Sequence, residues 1–249
     1  MISPLEKPFF PGGKVRHAAV SGKDKELIIK LEQLNIQPII TVPSKNLDNP
    51  VSDHTDMLLY INNKTITADK SQYDNFVKFL TIGYGFNVYN ETIGSPYPFD
   101  CRLNTLALGK SFFYNEKTTD NKIIDYYLNN SVKPIKVNQG YIKCAICPVT
   151  DNAFITDDTS IYNAAVDNGF DALLVSKGSV KLKGYDYGFI GGCTGLIDKN
   201  VLLFNGDINY HSDCNKIIDF LSIYNVKAEI ITNKALYDVG SIIPLTYEV

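Results

Sequence analysis

Asp238-Val239-Gly240-Ser241-Ile242-Ile243-Pro244-Leu245-Thr246 lies at the end of the chain, and it is the fifth occurrence of one pattern. The pattern is a β-rich run entered through an acidic residue or a glycine. The earlier copies are Asp53-His54-Thr55-Asp56-Met57-Leu58-Leu59-Tyr60-Ile61, Asp100-Cys101-Arg102-Leu103-Asn104-Thr105-Leu106-Ala107-Leu108, Gly140-Tyr141-Ile142-Lys143-Cys144-Ala145-Ile146-Cys147 and Gly188-Phe189-Ile190-Gly191-Gly192-Cys193-Thr194-Gly195-Leu196. Their starts lie about 40–50 residues apart, a period that marks arrays and propellers.

Four copies are followed by the same elements. A second strand comes first, at 64–68, 111–114, 153–156 and 201–204. A polar cap and an amphipathic helix follow at 71–80, 120–129, 159–168 and 212–224, with apolar residues at i, i+3, i+4 as in Ile217, Ile218 and Leu221. A third strand ends each unit at 86–89, 132–137, 172–175 and 227–231. The fifth copy has no such sequel. Its missing pieces stand at the other end of the chain, as a strand over 15–21, a helix over 23–34 and a strand over 37–42. The expectation is an α/β five-bladed β/α propeller of ββαβ repeats with pseudo-fivefold symmetry, one domain over residues 1–249. The N- and C-terminal strands close one blade and leave no open sheet edge. The alternative is an open α/β sandwich with five coincidental units.

The chain has 249 residues, 45% of them hydrophobic, and a formal net charge of −3, which argues against a nucleic-acid partner. No run approaches the ~18 apolar residues of a membrane span, and the first residues do not read as a secretory signal. A cytoplasmic protein is expected, with its five cysteines as free thiols. Monomer or homodimer, a small-molecule ligand, no cofactor and no metal complete the expectation. Cys144-Ala145-Ile146-Cys147 has C-x-x-C form, but within a strand its two sulfurs face opposite sides.

Several segments resemble the pentein superfamily, which includes arginine deiminases, amidinotransferases and dimethylarginine dimethylaminohydrolases. Arg16-His17-Ala18-Ala19-Val20 is similar to the first strand, and His54-Thr55-Asp56-Met57-Leu58-Leu59-Tyr60 to a segment carrying a substrate-binding aspartate. Asn104-Thr105-Leu106-Ala107-Leu108-Gly109-Lys110 resembles the strand and turn after the catalytic acid. Gly-Tyr-Ile-Lys-Cys at 140–144 and Tyr-Gly-Phe-Ile-Gly-Gly at 187–192 resemble a clostridial-type branch. The resemblance puts Tyr141 at the catalytic histidine position, Pro244 at the nucleophilic cysteine and the acid near Asp100 or Cys101. Tyrosine is a weak base at neutral pH and proline has no nucleophile.

His54 and Asp56, two apart on an expected strand, share a face, as do Tyr141 and Lys143. Asp56 either binds a cationic group or caps a turn. Lys143 either pairs with Asp56 or extends to solvent. Counting along the repeats sets Cys193 on the Ala145 position, on the Tyr141/Lys143 face that the resemblance points inward, where it is either a relocated nucleophile or a small buried residue at a bulge. The first functional expectation is a non-hydrolytic protein binding a small amino- or guanidino-type metabolite or a partner, lined by Asp56, Asp100, Asn104, Tyr141 and Lys143. The superfamily holds a precedent in a non-catalytic ribosomal-subunit anti-association factor. The alternative is a guanidine- or amidine-modifying hydrolase or amidinotransferase, with Cys193 as nucleophile and His54 as proton carrier.

Overall fold

The computed structural model describes residues 1–91 and 93–249. The elements in chain order are β1 (Ile2–Pro4), β2 (Val15–Val20), α1 (Lys25–Gln33), β3 (Gln37–Ile40), α2 (Thr55–Leu58), β4 (Leu59–Asn62), β5 (Thr65–Asp69), α3 (Tyr73–Phe76) and β6 (Gly85–Tyr89). They continue with β7 (Leu106–Leu108), β8 (Ser111–Tyr114), α4 (Asn121–Asn129), β9 (Lys133–Lys136), α5 (Ile142–Ala145), β10 (Ile146–Thr150), β11 (Ala153–Thr156) and α6 (Thr159–Asp167). The last are β12 (Asp171–Leu174), β13 (Thr194–Asp198), β14 (Val201–Phe204), α7 (Cys214–Ile223), β15 (Lys227–Ile230) and β16 (Ile243–Glu248).

These strands make five small sheets, β4-β5-β6, β7-β8-β9, β10-β11-β12, β13-β14-β15 and β1-β16-β2-β3. In each, an antiparallel pair is followed by a parallel one across a helical connection. The sheet containing both chain ends repeats this order, with Ile243 opposite Ala19 and Ala19 opposite Ile39. Three residues of β1 add an unforeseen fourth strand, too short to carry a sequence pattern.

The helices start where aspartates accept backbone N–H groups. Asp24 accepts from Leu27, Asp120 from Lys122, and Asp158 from Ser160 and Ile161. α1, α4, α6 and α7 are each followed by a residue in left-handed conformation, Asn35, Ser131, Gly169 and Asn225. Each buries one stripe, such as Leu27 and Leu31 or Ile217 and Leu221. The helix expected over 71–80 is broken into a 3₁₀ turn, α3 and a second 3₁₀ turn. There Gln72 brackets the Val42 backbone from both sides and Asn75 donates to Ile40 O, so the segment is tied to the sheet rather than free to wind regularly. Among the described residues no helix is long and apolar enough to cross a membrane.

Two features aim side chains toward the interior. The starts of three β-rich runs are helical turns rather than strand: α2 before β4, α5 before β10, and a 3₁₀ turn over Gly191–Cys193 before β13. Before β16, Gly240 and Ser241 are both left-handed, with φ of 73° and 71°. A Cβ on Gly240 would lie 2.4 Å from His54 Cβ. Gly240→Ala is therefore expected to cost roughly 2–4 kcal/mol through strain and overlap, read as a lower urea midpoint.

Candidate functional site

Asp56 sits in α2, held by its backbone N–H donating to Gly240 O at 3.0 Å. The residue is 1% exposed. Oδ2 accepts from Ser241 Oγ at 2.5 Å and from Cys144 Sγ at 2.9 Å, while Oδ1 has no partner. Ser241 Oγ in turn accepts from Lys143 Nζ at 3.0 Å. The back of that ammonium lies 5.3 Å from the Phe9 ring centroid, a cation–π contact. Lys143 thus meets Asp56 through one hydroxyl. Burial raises the Asp56 pKa; only a protonated His54 and the Lys143 ammonium oppose the rise, and Asp238 adds to it.

Asn104 shapes the next part. Its Oδ1 accepts from Lys143 N at 2.7 Å and Cys144 N at 3.3 Å, capping α5, and its Nδ2 donates to Cys144 Sγ at 3.2 Å. The thiol is therefore fixed between an amide and a carboxylate. Burial first, and then Asp56 and Asp238, push it well above the ordinary cysteine range. Tyr141 precedes α5 and donates its hydroxyl to Asp100 Oδ2 at 2.6 Å. Burial and that bond raise its pKa further.

Cys144, His54 and Asp238 line one cavity of about 220 Å³, walled by Tyr141, Tyr185, Tyr187 and Phe189. The rings form a chain, with Tyr141 6.2 Å from Phe189 and Phe189 5.9 Å from Tyr187 between centroids. Asp238 is fastened by Phe189 N and Gly240 N, each at 2.9 Å, and burial raises its pKa to about 6. His54 is 3% exposed, its Nδ1 3.9 Å from Asp238 Oδ1, and burial lowers its pKa. Aromatic faces beside buried carboxylates suit a small flat cation.

Of the residues expected at the site, His54, Asp56, Asn104, Tyr141 and Lys143 come together, with Asp100 behind Tyr141. The shared-face argument for them is corrected. They ride on helical turns, so Tyr141 reaches Asp100 while Lys143 reaches Ser241. Cys193 does occupy the position in its unit that Ala145 has in the third. Both are core residues: the Cys193 thiol donates to Ile190 O at 3.2 Å, packs in an apolar cluster with Cys147 and Leu196, and lies outside the cavity. Pro244 pairs with Ala18 inside β16, and Ser241 is the residue of that segment that meets Asp56. Cys144, Ser241 and Asp238 were missed. The signal available for Cys144 was its place one residue after Lys143, masked by reading α5 as strand.

A third buried carboxylate, after Asp56 and Asp238, stands nearby. Asp157 accepts from Ile190 N at 3.2 Å, and burial raises its pKa to about 7. Asp157 and Asp238 both hold a proton more tightly folded than unfolded. The folded state then binds more protons between about pH 4 and 7, so their contribution to stability falls as pH rises through that window. His17, His54 and His211 have lowered values and act oppositely, losing stability as pH falls below about 6.5. Asp157→Asn isolates the first effect: it is expected to raise the urea stability by roughly 2–4 kcal/mol at pH 8 and to leave it unchanged at pH 4.

Comparison with known proteins follows the same lines. No curated protein sequence matches the chain. Among solved structures it is similar to SxtG, an amidinotransferase of Microseira wollei in the saxitoxin biosynthetic pathway, at 9% identity and TM-score 0.58, covering 93% of this chain and 96% of that one. It is similar to inosamine-phosphate amidinotransferase StrB1 of Streptomyces griseus at 11% identity and TM-score 0.57, covering 93% and 92%. It is also similar to a mutant DDAH of Pseudomonas aeruginosa complexed with citrulline, at 8% identity and TM-score 0.54, covering 88% and 93%. At such identities the likeness is one of fold alone, and it is to the kinds of enzyme that the sequence resemblance named. Residues 19–243 match the family described as "Family of unknown function (DUF6873)", and the chain belongs to that family.

Proposed function

We propose that the five sheets surround the Cys144 cavity as the blades of one closed ring over residues 1–249, and that this cavity binds and modifies a small amidine or guanidine. The observation that carries the reading is a thiol, an imidazole and a carboxylate lining one aromatic-walled cavity, with Asp56 behind the thiol. The fold neighbours act on amidino groups or hold citrulline, which supports the same class.

The chemistry follows from the contacts. In the empty site the thiol stays protonated, because burial and two carboxylates oppose its ionisation. A cation entering beside Asp238 offsets those charges and favours the thiolate. Asp56 accepts the thiol proton along the existing Sγ to Oδ2 bond. The thiolate adds to the amidino carbon, the C–N bond to the leaving amine breaks, and that amine departs with the proton held by Asp56. His54, neutral in its buried setting, takes a proton from the second nucleophile that releases Cys144.

Incubation with acetamidine, agmatine and L-arginine tests this. A mass increase on the Cys144 peptide, with release of ammonia or amine, is the expected result. Failure of all three to bind would end the reading. One observation favours binding without turnover, the near-complete burial of the Cys144 thiol against the Asp56 carboxylate, which opposes its ionisation. Saturable binding with neither adduct nor product would establish that second reading instead.

A further inference from the structure

Lys143 is a buried charge that the chemistry above leaves unused. It stands one residue before Cys144 on α5, and the two side chains diverge toward a single acceptor. The thiol reaches Asp56 Oδ2 directly at 2.9 Å, and the ammonium reaches the same oxygen through Ser241 Oγ. Among the described residues Lys143 Nζ makes no other hydrogen bond and no ion pair. A lysine 4% exposed and held by one neutral group is costly, and a methionine would fill the space without that cost.

The bridging hydroxyl is fixed by its backbone. Ser241 is left-handed at φ 71°, a conformation that costs a serine energy, and its N–H donates to Gly192 O at 2.8 Å. Ser241 Oγ has one proton and two acceptors in reach, Asp56 Oδ2 at 2.5 Å and Gly191 O at 3.0 Å. Donation from Lys143 fills one lone pair of the hydroxyl, and the nearer, charged acceptor takes its proton.

Asp56 needs such a donor. Burial and Asp238 both favour its neutral form, and a neutral Asp56 cannot accept the thiol proton. The titratable groups facing it are His54 from the start of its own turn, Lys143 and Cys144 from α5, and Asp238 from the segment before β16. His54 is neutral in its buried setting and Asp238 is an acid, so Lys143 is the cation of the group.

Resting on the reading of the Cys144 cavity above, we propose that Lys143 is a positioning residue: acting through the Ser241 hydroxyl, it holds Asp56 as the ionised carboxylate that takes the thiol proton. As the S–H bond breaks, the proton moves to Asp56 Oδ2 and the electron pair stays on Cys144 Sγ. Lys143 and Ser241 keep their own protons throughout. The lysine lies outside the Cys144 cavity and touches neither the sulfur nor the substrate.

The test follows two signals against pH, the ¹³C resonance of the Asp56 carboxyl and the rate at which iodoacetamide alkylates Cys144. Neither needs an amidine. The proteins are wild type, Lys143→Met, Lys143→Arg and Ser241→Ala. The Asp56 midpoint is expected to rise by about one unit in Lys143→Met and in Ser241→Ala. The acid limb of Cys144 alkylation is expected to move up with it, making alkylation about tenfold slower on that limb. Lys143→Arg keeps the charge and is expected to stay near wild type in both signals. A lysine with a structural role alone would lower stability and leave both midpoints in place. An unmoved Asp56 midpoint in Lys143→Met and Ser241→Ala overturns the proposal, and so does a shifted midpoint with an unmoved alkylation limb. If both shift while acetamidine fails to add to wild-type Cys144, the amidine reading falls and the link from Lys143 to the thiol stands.

Discussion

Cys144→Ala is expected to abolish covalent capture of an amidine and to lower turnover at least about a thousandfold, as loss of a nucleophile does. The thiol lines the cavity and touches Asp56, and no other cysteine does either. The companion change Cys193→Ala is expected to retain turnover, since that thiol is packed among Cys147, Ile190 and Leu196. Parallel steady-state assays and peptide mass mapping read both. Full activity in Cys144→Ala, or its loss only in Cys193→Ala, would move the chemistry to the position first suggested by the repeat alignment.

Asp56→Ala is expected to be the most damaging single change to stability, at about 3–5 kcal/mol, the cost of leaving a buried charge without its counterpart. Lys143 is 4% exposed, and its route to a carboxylate runs through Ser241 Oγ to Asp56. Removing Asp56 strands the ammonium and frees the Cys144 thiol from its acceptor. The double change Asp56→Ala with Lys143→Met removes the stranded charge and is expected to recover much of the loss. Urea unfolding of the four proteins gives the coupling directly. Additive losses would show that the hydroxyl bridge carries no interaction.

Much of the architecture was legible because it rests on local chemistry. Asp24, Asp120 and Asp158 mark helix starts, and the split fifth unit was visible as a strand at the C-terminus whose sequel stands at residues 15–42. The site was legible by residue type but not by direction. His54-Thr55-Asp56 and Tyr141-Ile142-Lys143 carry strand-like composition, yet each is turned into a helical bend by a contact from another unit. Gly240 O takes the N–H of Asp56, and Asn104 Oδ1 takes those of Lys143 and Cys144. These long-range bonds override local propensity and set which side chain points inward. The consecutive left-handed residues Gly240 and Ser241 act likewise: they swing Ser241, not Pro244, beneath Asp56.

The most direct test of this account is a crystal structure of the protein soaked with guanidinium or acetamidinium. The account predicts a planar cation between the Tyr141 and Phe189 rings and against Asp238. Its central carbon should lie about 3–3.5 Å from Cys144 Sγ, the separation of a near-attack pose. A cation bound elsewhere, or one screened from Sγ by protein atoms, would contradict it.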